Sequence, residues 1–142
     1  MKKYKIGYTT GVFDLFHIGH LNILRESKKR CELLIVGVST DEVVMQYKKK
    51  KPIIPFAERV AIVEAIKYAD KVVSQTTMDK MDAWKRLKFD ALFHGDDWKG
   101  SPLYDKYINE FAKVGVDIVF LPHTEGISST IIAEIFNKNN KK

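Results

Sequence analysis

One cysteine, Cys31, stands in a chain of 142 residues, so no intrachain disulfide is available and no cysteine cluster exists to hold a metal. No apolar run approaches the ~18 residues that a membrane-spanning helix needs. The opening Met1-Lys2-Lys3-Tyr4-Lys5-Ile6-Gly7 is basic but leads into Thr9, Thr10 and Gly11 rather than an apolar core, so it does not read as a signal peptide. A cytoplasmic protein without membrane attachment is the expectation. Repeats, low-complexity tracts and linkers are also missing, which predicts a single domain over residues 1–142 with a frayed tail at 139–142. Neither G-x-G-x-x-G nor G-x-x-x-x-G-K-[ST] occurs, which argues against dinucleotide-dependent oxidoreduction and against a P-loop. No nucleophile triad or carboxylate dyad stands out. The net charge of +6 comes without a recognition helix or zinc spacing, so nucleic acid is not the expected partner. That surplus gathers in Lys48-Lys49-Lys50-Lys51 and in Lys138, Lys141 and Lys142, and suits a phosphorylated small molecule.

Apolar runs alternate with helical periodicity along the whole chain. Residues 5–10, 33–38, 71–74, 91–94 and 117–121 read as strands. The run Leu33-Leu34-Ile35-Val36-Gly37-Val38 is continuously apolar, as a parallel strand covered on both faces should be. Helices are expected over 19–30, 55–68, 79–87, 102–114 and 128–137, with Pro55 in a first turn and Val60, Ile62, Val63, Ile66 and Ala69 facing inward. Five strand–helix units in series predict an α/β fold: a single doubly wound parallel five-stranded sheet. Ligands bind such sheets at the carboxyl ends of the strands, so functional residues should follow Thr10, Val38, Ser74, His94 and Leu121.

After the first strand comes Val12-Phe13-Asp14-Leu15-Phe16-His17-Ile18-Gly19-His20. Two imidazoles at a strand-to-helix junction, with a glycine that allows close backbone approach, suit phosphates seated on a helix N-terminus. A lone histidine there would read as a cap or a core residue, but His17 and His20 together do not. His17-Ile18-Gly19-His20 also spells the HIGH motif of class I aminoacyl-tRNA synthetases, but no KMSKS-like segment accompanies it. The second strand is followed by Ser39-Thr40-Asp41-Glu42 and then by the four lysines, a solvated loop if taken alone. Pro52 and Pro55 tether that run to the next helix, and Arg59 there reads as a further phosphate fork. Thr76-Thr77-Met78-Asp79-Lys80 opens a helix, as a cap or as part of an acceptor pocket. Gly95-Asp96-Asp97-Trp98 is a carboxylate and aromatic cluster or a packed Asx turn. His123-Thr124-Glu125-Gly126-Ile127-Ser128-Ser129-Thr130 carries more hydroxyls than one helix cap needs, and the surplus suits an anion.

From about Tyr4 to Phe136 these segments resemble the cytidylyltransferase family of the HxGH nucleotidyltransferase superfamily. His17-Ile18-Gly19-His20 carries the superfamily signature, and Thr124-Glu125-Gly126-Ile127-Ser128 is similar to the family's RTEGISTT segment. The resemblance implies a Rossmann-like nucleotidyltransferase fold and transfer of CMP from CTP to a phosphorylated small alcohol, with Mg²⁺ carried by the CTP phosphates. Glycerol 3-phosphate is the expected acceptor. The alternatives are ribitol, choline or ethanolamine phosphate, an adenylyltransferase using ATP, and a non-catalytic nucleotide-binding module. His17, His20, Lys48 and Ser129 are implied as catalytic. Val12, Phe13, Asp14, Ile18, Gly19, Lys50, Arg59, Asp97 and residues His123 to Thr130 are implied around the nucleotide, with Lys48, Lys80 and Trp98 at the acceptor and Asp14 or Asp97 near the metal. His123 stands where the family carries an arginine, Ser129 where it carries a threonine, and Met78 about where a relative acting on glycerol phosphate carries a tryptophan. A homodimer, formed near the first histidine loop, is the family default.

Overall fold

The computed structural model describes residues 3–96, 99–122, 124 and 126–139. In chain order the elements are β1 (Tyr4–Gly11), α1 (Ile18–Lys29), β2 (Cys31–Ser39), α2 (Asp41–Lys48), α3 (Phe56–Glu64), β3 (Lys71–Gln75), α4 (Lys80–Leu87), β4 (Ala91–Gly95), α5 (Pro102–Ala112), β5 (Asp117–Leu121) and α6 (Ser129–Asn139). The strands form one five-stranded parallel sheet in the order β3-β2-β1-β4-β5. Winding runs outward from β1 to β3, then returns to place β4 on the other side of β1. The β1/β4 boundary is therefore the switch point, where the carboxyl ends of an α/β sheet open into a crevice.

The period of two along each strand builds a core on either face. On one face Leu34, Val36 and Val38 of β2 pack with Phe93, with Leu24 of α1 and with Val63 of α3. On the other, Tyr8, Ile35 and Leu92 pack with Ala83 of α4 and Phe111 of α5. Gly7 lets β1 and β4 share the first core, because a Cβ there would lie 2.5 Å from Phe93 Cε2 and 2.8 Å from Cys31 Sγ. Among the described residues no helix is long and apolar enough to cross a membrane.

The expected strands and helices are present, with differences that have local causes. β2 begins at Cys31 rather than 33 because Cys31 pairs with Tyr4. α3 stops at Glu64 rather than 68, since the chain then tightens into turns in which Ile66 N–H donates to the Val63 carbonyl (3.0 Å) and Ala69 N–H to that of Ile66 (3.1 Å). The stretch after Thr40 is a helix, α2, and not a loop. Its signal was present: Thr40 Oγ1 accepts from Val43 N–H (3.3 Å), and Asp41 and Glu42 complement the N-terminal dipole.

Candidate active site

Beyond Gly11 the chain turns through a loop in which Phe13 and Leu15 adopt left-handed backbone angles, φ 56° and 48°. Each costs a non-glycine residue about 1–2 kcal/mol. Phe13 is held there by its ring, 5% exposed and stacked on Phe16 at 6.3 Å. The turn delivers His17 to the N-cap of α1. His17 Nδ1 accepts from Gly19 N–H (3.0 Å) and His20 Nδ1 accepts from His17 N–H (3.1 Å). Two imidazoles thus close a capping box whose parts usually fall to Ser or Thr and to Glu or Gln. A backbone N–H can only donate, so each Nδ1 is an acceptor and each neutral ring carries its proton on Nε2. The rings stack with centroids 3.9 Å apart. Gly19 permits this, since a Cβ would lie 2.8 Å from His17 Cε1. Burial holds the His17 pKa below the ordinary range. Burial, then the neighbouring His17 and Lys48, push His20 down to about 4 against the opposing pull of Asp14. Near neutral pH the free protein therefore presents two uncharged Nε2–H donors.

Several side chains lock this loop to its neighbours, and three of them do work that the sequence reading had assigned to ligand binding. Arg59, expected as a phosphate fork, is fully buried. Its Nε donates to the Ile54 carbonyl (2.9 Å), its Nη1 to those of Val12 (2.8 Å) and Ser39 (2.7 Å), and its Nη2 to the Asp41 carboxylate (2.6 Å). All three nitrogens are committed within the protein. Asp14, expected near the metal, accepts Ile53 N–H on Oδ2 (2.8 Å) and Ile54 N–H on Oδ1 (2.9 Å), fastening the end of the lysine loop to the histidine loop. Ser129, expected to be catalytic, donates its hydroxyl to the Asp14 carbonyl. Ser128 Oγ caps α6 by accepting Ile131 N–H (3.0 Å), and Thr124 Oγ1 accepts from Asn22 Nδ2 (2.9 Å), docking its segment on α1. Gly126 supplies the left-handed turn between them, φ 77°.

Two cavities open at the carboxyl edge of the sheet and share Thr10, Gly11 and His94. The first, about 510 Å³, is walled by Val12, Phe13, Asp14, His20, Ser129 and Thr130, with Lys48, Lys50 and Lys51 along its rim. His17, Ile18, Gly19, Thr124, Gly126, Ile127 and Ser128 do not line this cavity. Lys49 turns away as the left-handed C-cap of α2, which separates the lysines that face the cavity from the one that does not. Thr130 is the hydroxyl of its run with no partner among the described residues. The second cavity, about 930 Å³, is enclosed by α2, the β3–α4 turn and α5, and Lys80 and Met78 lie on its wall. Burial lowers the Lys80 pKa. Ser39, Gln75, Tyr104 and Tyr107 also line it, and the sequence reading missed them because they converge from three separate elements, β2, β3 and α5. Asp97, Trp98, His123 and Glu125 lie outside the described residues.

Comparison with known proteins gives the same picture. Residues 8–135 match the cytidylyltransferase-like family. The chain is 38% identical over 133 residues to glycerol-3-phosphate cytidylyltransferase of Bacillus subtilis (strain 168), covering 89% of this chain and 92% of that protein. It is 34% identical to the protein of the same name from Staphylococcus aureus (strain NCTC 8325 / PS 47), over 94% and 96% of the two chains. The crystal structure of the lipopolysaccharide core biosynthesis protein from Thermoplasma volcanium superposes with a TM-score of 0.75 at 29% identity, covering 86% of this chain and 99% of that one. Matching over most of its length, with the fold and the histidine loop in place, the chain belongs to the cytidylyltransferase-like family.

Proposed function

We propose that this protein transfers CMP from CTP to glycerol 3-phosphate, giving CDP-glycerol and pyrophosphate. The observation that carries the reading is the meeting of two cavities at Thr10, Gly11 and His94, one rimmed by lysines beside His20 and the other open for an acceptor. An oxygen of the acceptor phosphate attacks the α-phosphorus of CTP, and the bond from that phosphorus to the oxygen bridging the β-phosphate breaks. The phosphate is already a competent nucleophile, so no general base is needed. Catalysis is then a matter of holding two polyanions in line, for which positioning supplies about 7–11 kcal/mol. Their mutual repulsion, about 4 kcal/mol per pair of unit charges at 4 Å in a protein-surface dielectric, is offset by Lys48, Lys50 and Lys51. His20 donates from Nε2 to charge developing on the α-phosphate, and His17 orients His20 through the capping box.

Mg²⁺ is the expected companion of the triphosphate, where it would neutralise phosphate charge. Among the described residues no group of three His, Cys, Asp or Glu side chains converges on a metal site. Both Asp14 carboxylate oxygens already accept N–H groups. The nucleotide phosphates would then carry the ion, and Asp97, outside the described residues, is the other carboxylate expected near it. We read the protein as a cytoplasmic homodimer that pairs near the histidine loop. The test is pyrophosphate release across CTP, ATP, GTP and UTP, each crossed with glycerol 3-phosphate, choline phosphate and ethanolamine phosphate. Release with CTP and glycerol 3-phosphate is expected. Release with ATP alone, or with no pair from protein that binds CTP, would overturn the reading.

A further inference from the structure

One wall of the acceptor cavity is a continuous stretch of chain, Thr77-Met78-Asp79-Lys80-Met81, running from the end of β3 into the first turn of α4. Thr77 Oγ1 accepts Asp79 N–H (2.7 Å) and Asp79 Oδ1 accepts Met81 N–H (3.0 Å), which links the turn and the helix start into one unit. Tyr107 of α5 holds that unit from outside by donating to the Met78 carbonyl (3.3 Å). Among the described residues, one side-chain amide ties it to the sheet. Gln75, the last residue of β3, is 3% exposed. Its Nε2 donates to the Thr77 carbonyl (2.7 Å), and its Oε1 accepts the Tyr8 hydroxyl. A carbonyl can only accept, so the amide has a single orientation.

The Tyr8 partner comes from two strands away. Tyr8 belongs to β1, and β2 lies between β1 and β3. The hydroxyl passes over β2 at Gly37, where a Cβ would overlap Tyr8 Oη and lie 2.8 Å from Cζ. Stacking on Phe89 at 4.9 Å fixes the ring. Burial pushes the Tyr8 pKa up to about 12, so the hydroxyl keeps the proton it donates. Three strands thus contribute to one buried polar link. Stability alone does not ask for this, because an apolar pair of the same shape can replace such a bond at little cost. What the link does provide is a fixed place for the Thr77 carbonyl, and hence for Met78 and Lys80 beyond it. We infer that Gln75 is a positioning residue for the acceptor: braced by Tyr8 across β2, it sets where Thr77, Met78 and Lys80 stand and so how tightly the acceptor is held. The inference rests on the transferase reading above. Tyr8 and Gln75 do not line the nucleotide cavity, so the effect should fall on one substrate.

The test is steady-state turnover of CTP with glycerol 3-phosphate by the unaltered protein, Tyr8→Phe, Gln75→Met and the double variant, with calorimetric CTP binding to report folding. Tyr8→Phe keeps the stacked ring and decides the matter by itself should Gln75→Met not fold. KM for the acceptor should rise about fivefold in Tyr8→Phe, as loss of one hydrogen bond felt at the site would give. Gln75→Met should raise it at least as much, while KM for CTP stays within about twofold in both, inside the usual additivity error. The double variant should match Gln75→Met rather than multiply the two effects, since both break one link. Equal rises in the two KM values, an acceptor KM untouched by Tyr8→Phe, or effects that multiply in the double variant would each overturn the inference while leaving the transferase intact. Failure of the unaltered, CTP-binding protein to release pyrophosphate with any acceptor would overturn the transferase reading and this inference with it.

Discussion

The two cavities share Thr10, Gly11 and His94 but are built in opposite ways. On the nucleotide side the loops are braced against one another, while Lys48, Lys50, Lys51, Thr130 and His20 Nε2 face the cavity. Arg59 bridges the loops after β1 and β2 and the approach to α3, Asp14 fastens the lysine loop, and Ser129 and Asn22 pull in the last segment. On the acceptor side the side chains of Ser39 and Lys80 have no hydrogen-bond or ion-pair partner among the described residues. The braced side is organised to keep reacting phosphates and their donors from moving. The open side leaves its polar groups for whatever enters.

The sharpest way to break this contrast is to remove the brace. Arg59→Leu deletes a fully buried guanidinium and leaves the carbonyls of Val12, Ser39 and Ile54 and the carboxylate of Asp41 without their donor. Removing one partner of a buried charged pair costs about 3–5 kcal/mol, and the urea midpoint should fall accordingly. Arg59→Lys should recover little, because an ammonium cannot reproduce the planar fork. An unchanged midpoint in Arg59→Leu would mean that the loops are held by something else. Next in size is His20→Ala, for which turnover should fall by about 10²-fold or more, as loss of one preorganised donor does. Near-normal turnover from folded His20→Ala would remove that residue from the mechanism.

The same contrast explains what the sequence could and could not disclose. The sheet was legible because apolar runs and helical periodicity are local signals, and each expected strand appears within about two residues. The histidine loop was legible because its residues are consecutive. Arg59 was misread for a physical reason: an arginine near phosphate-binding loops looks the same in sequence whether it faces a ligand or three carbonyls, and only the packing distinguishes them. Asp14 and Ser129 stand on the wall of the nucleotide cavity, but the bonds by which they also brace it have no local signal, since their partners lie 39 and 115 positions away. The acceptor wall was hardest, because Ser39, Gln75, Lys80 and Tyr107 come from different elements with no common spacing.

A milder change sharpens the comparison. Asp14→Asn keeps one carboxamide oxygen for Ile53 or Ile54 and turns an NH₂ toward the other N–H. That mismatch should cost about 1–3 kcal/mol. If about 1.4 kcal/mol of it falls on placement of the lysine loop, KM for CTP rises about tenfold. KM for the acceptor should barely move. Equal changes in both would mean that the two cavities are not separately organised.

Acid should loosen the nucleotide side in a defined window. The folded pKa of His20, about 4, lies below the ordinary value of 6.5, so between these limits the unfolded chain binds the proton that the folded one refuses. The stability contributed by the neutral ring is complete above about pH 6.5 and is lost as the pH falls toward 4. Protonating Nδ1 would also displace the His17 N–H and open the α1 cap. Urea midpoints from pH 4 to 8 should decline on the acid side, less steeply in His20→Ala. A midpoint that holds or rises on acidification in the unaltered protein would contradict a neutral capping box.

The smallest effect has the opposite sign. Burial depresses the Lys80 pKa, so at pH 7 the folded protein carries this charge at some cost relative to the unfolded chain. Lys80→Met, which keeps the length and drops the charge, should leave stability unchanged or raise it by a few tenths of a kcal/mol, within the range of surface substitutions. A clear loss of stability in Lys80→Met would give Lys80 a structural role like that of Arg59 and erase the contrast between the two sides. A small gain would mean that its charge serves what binds there rather than the fold.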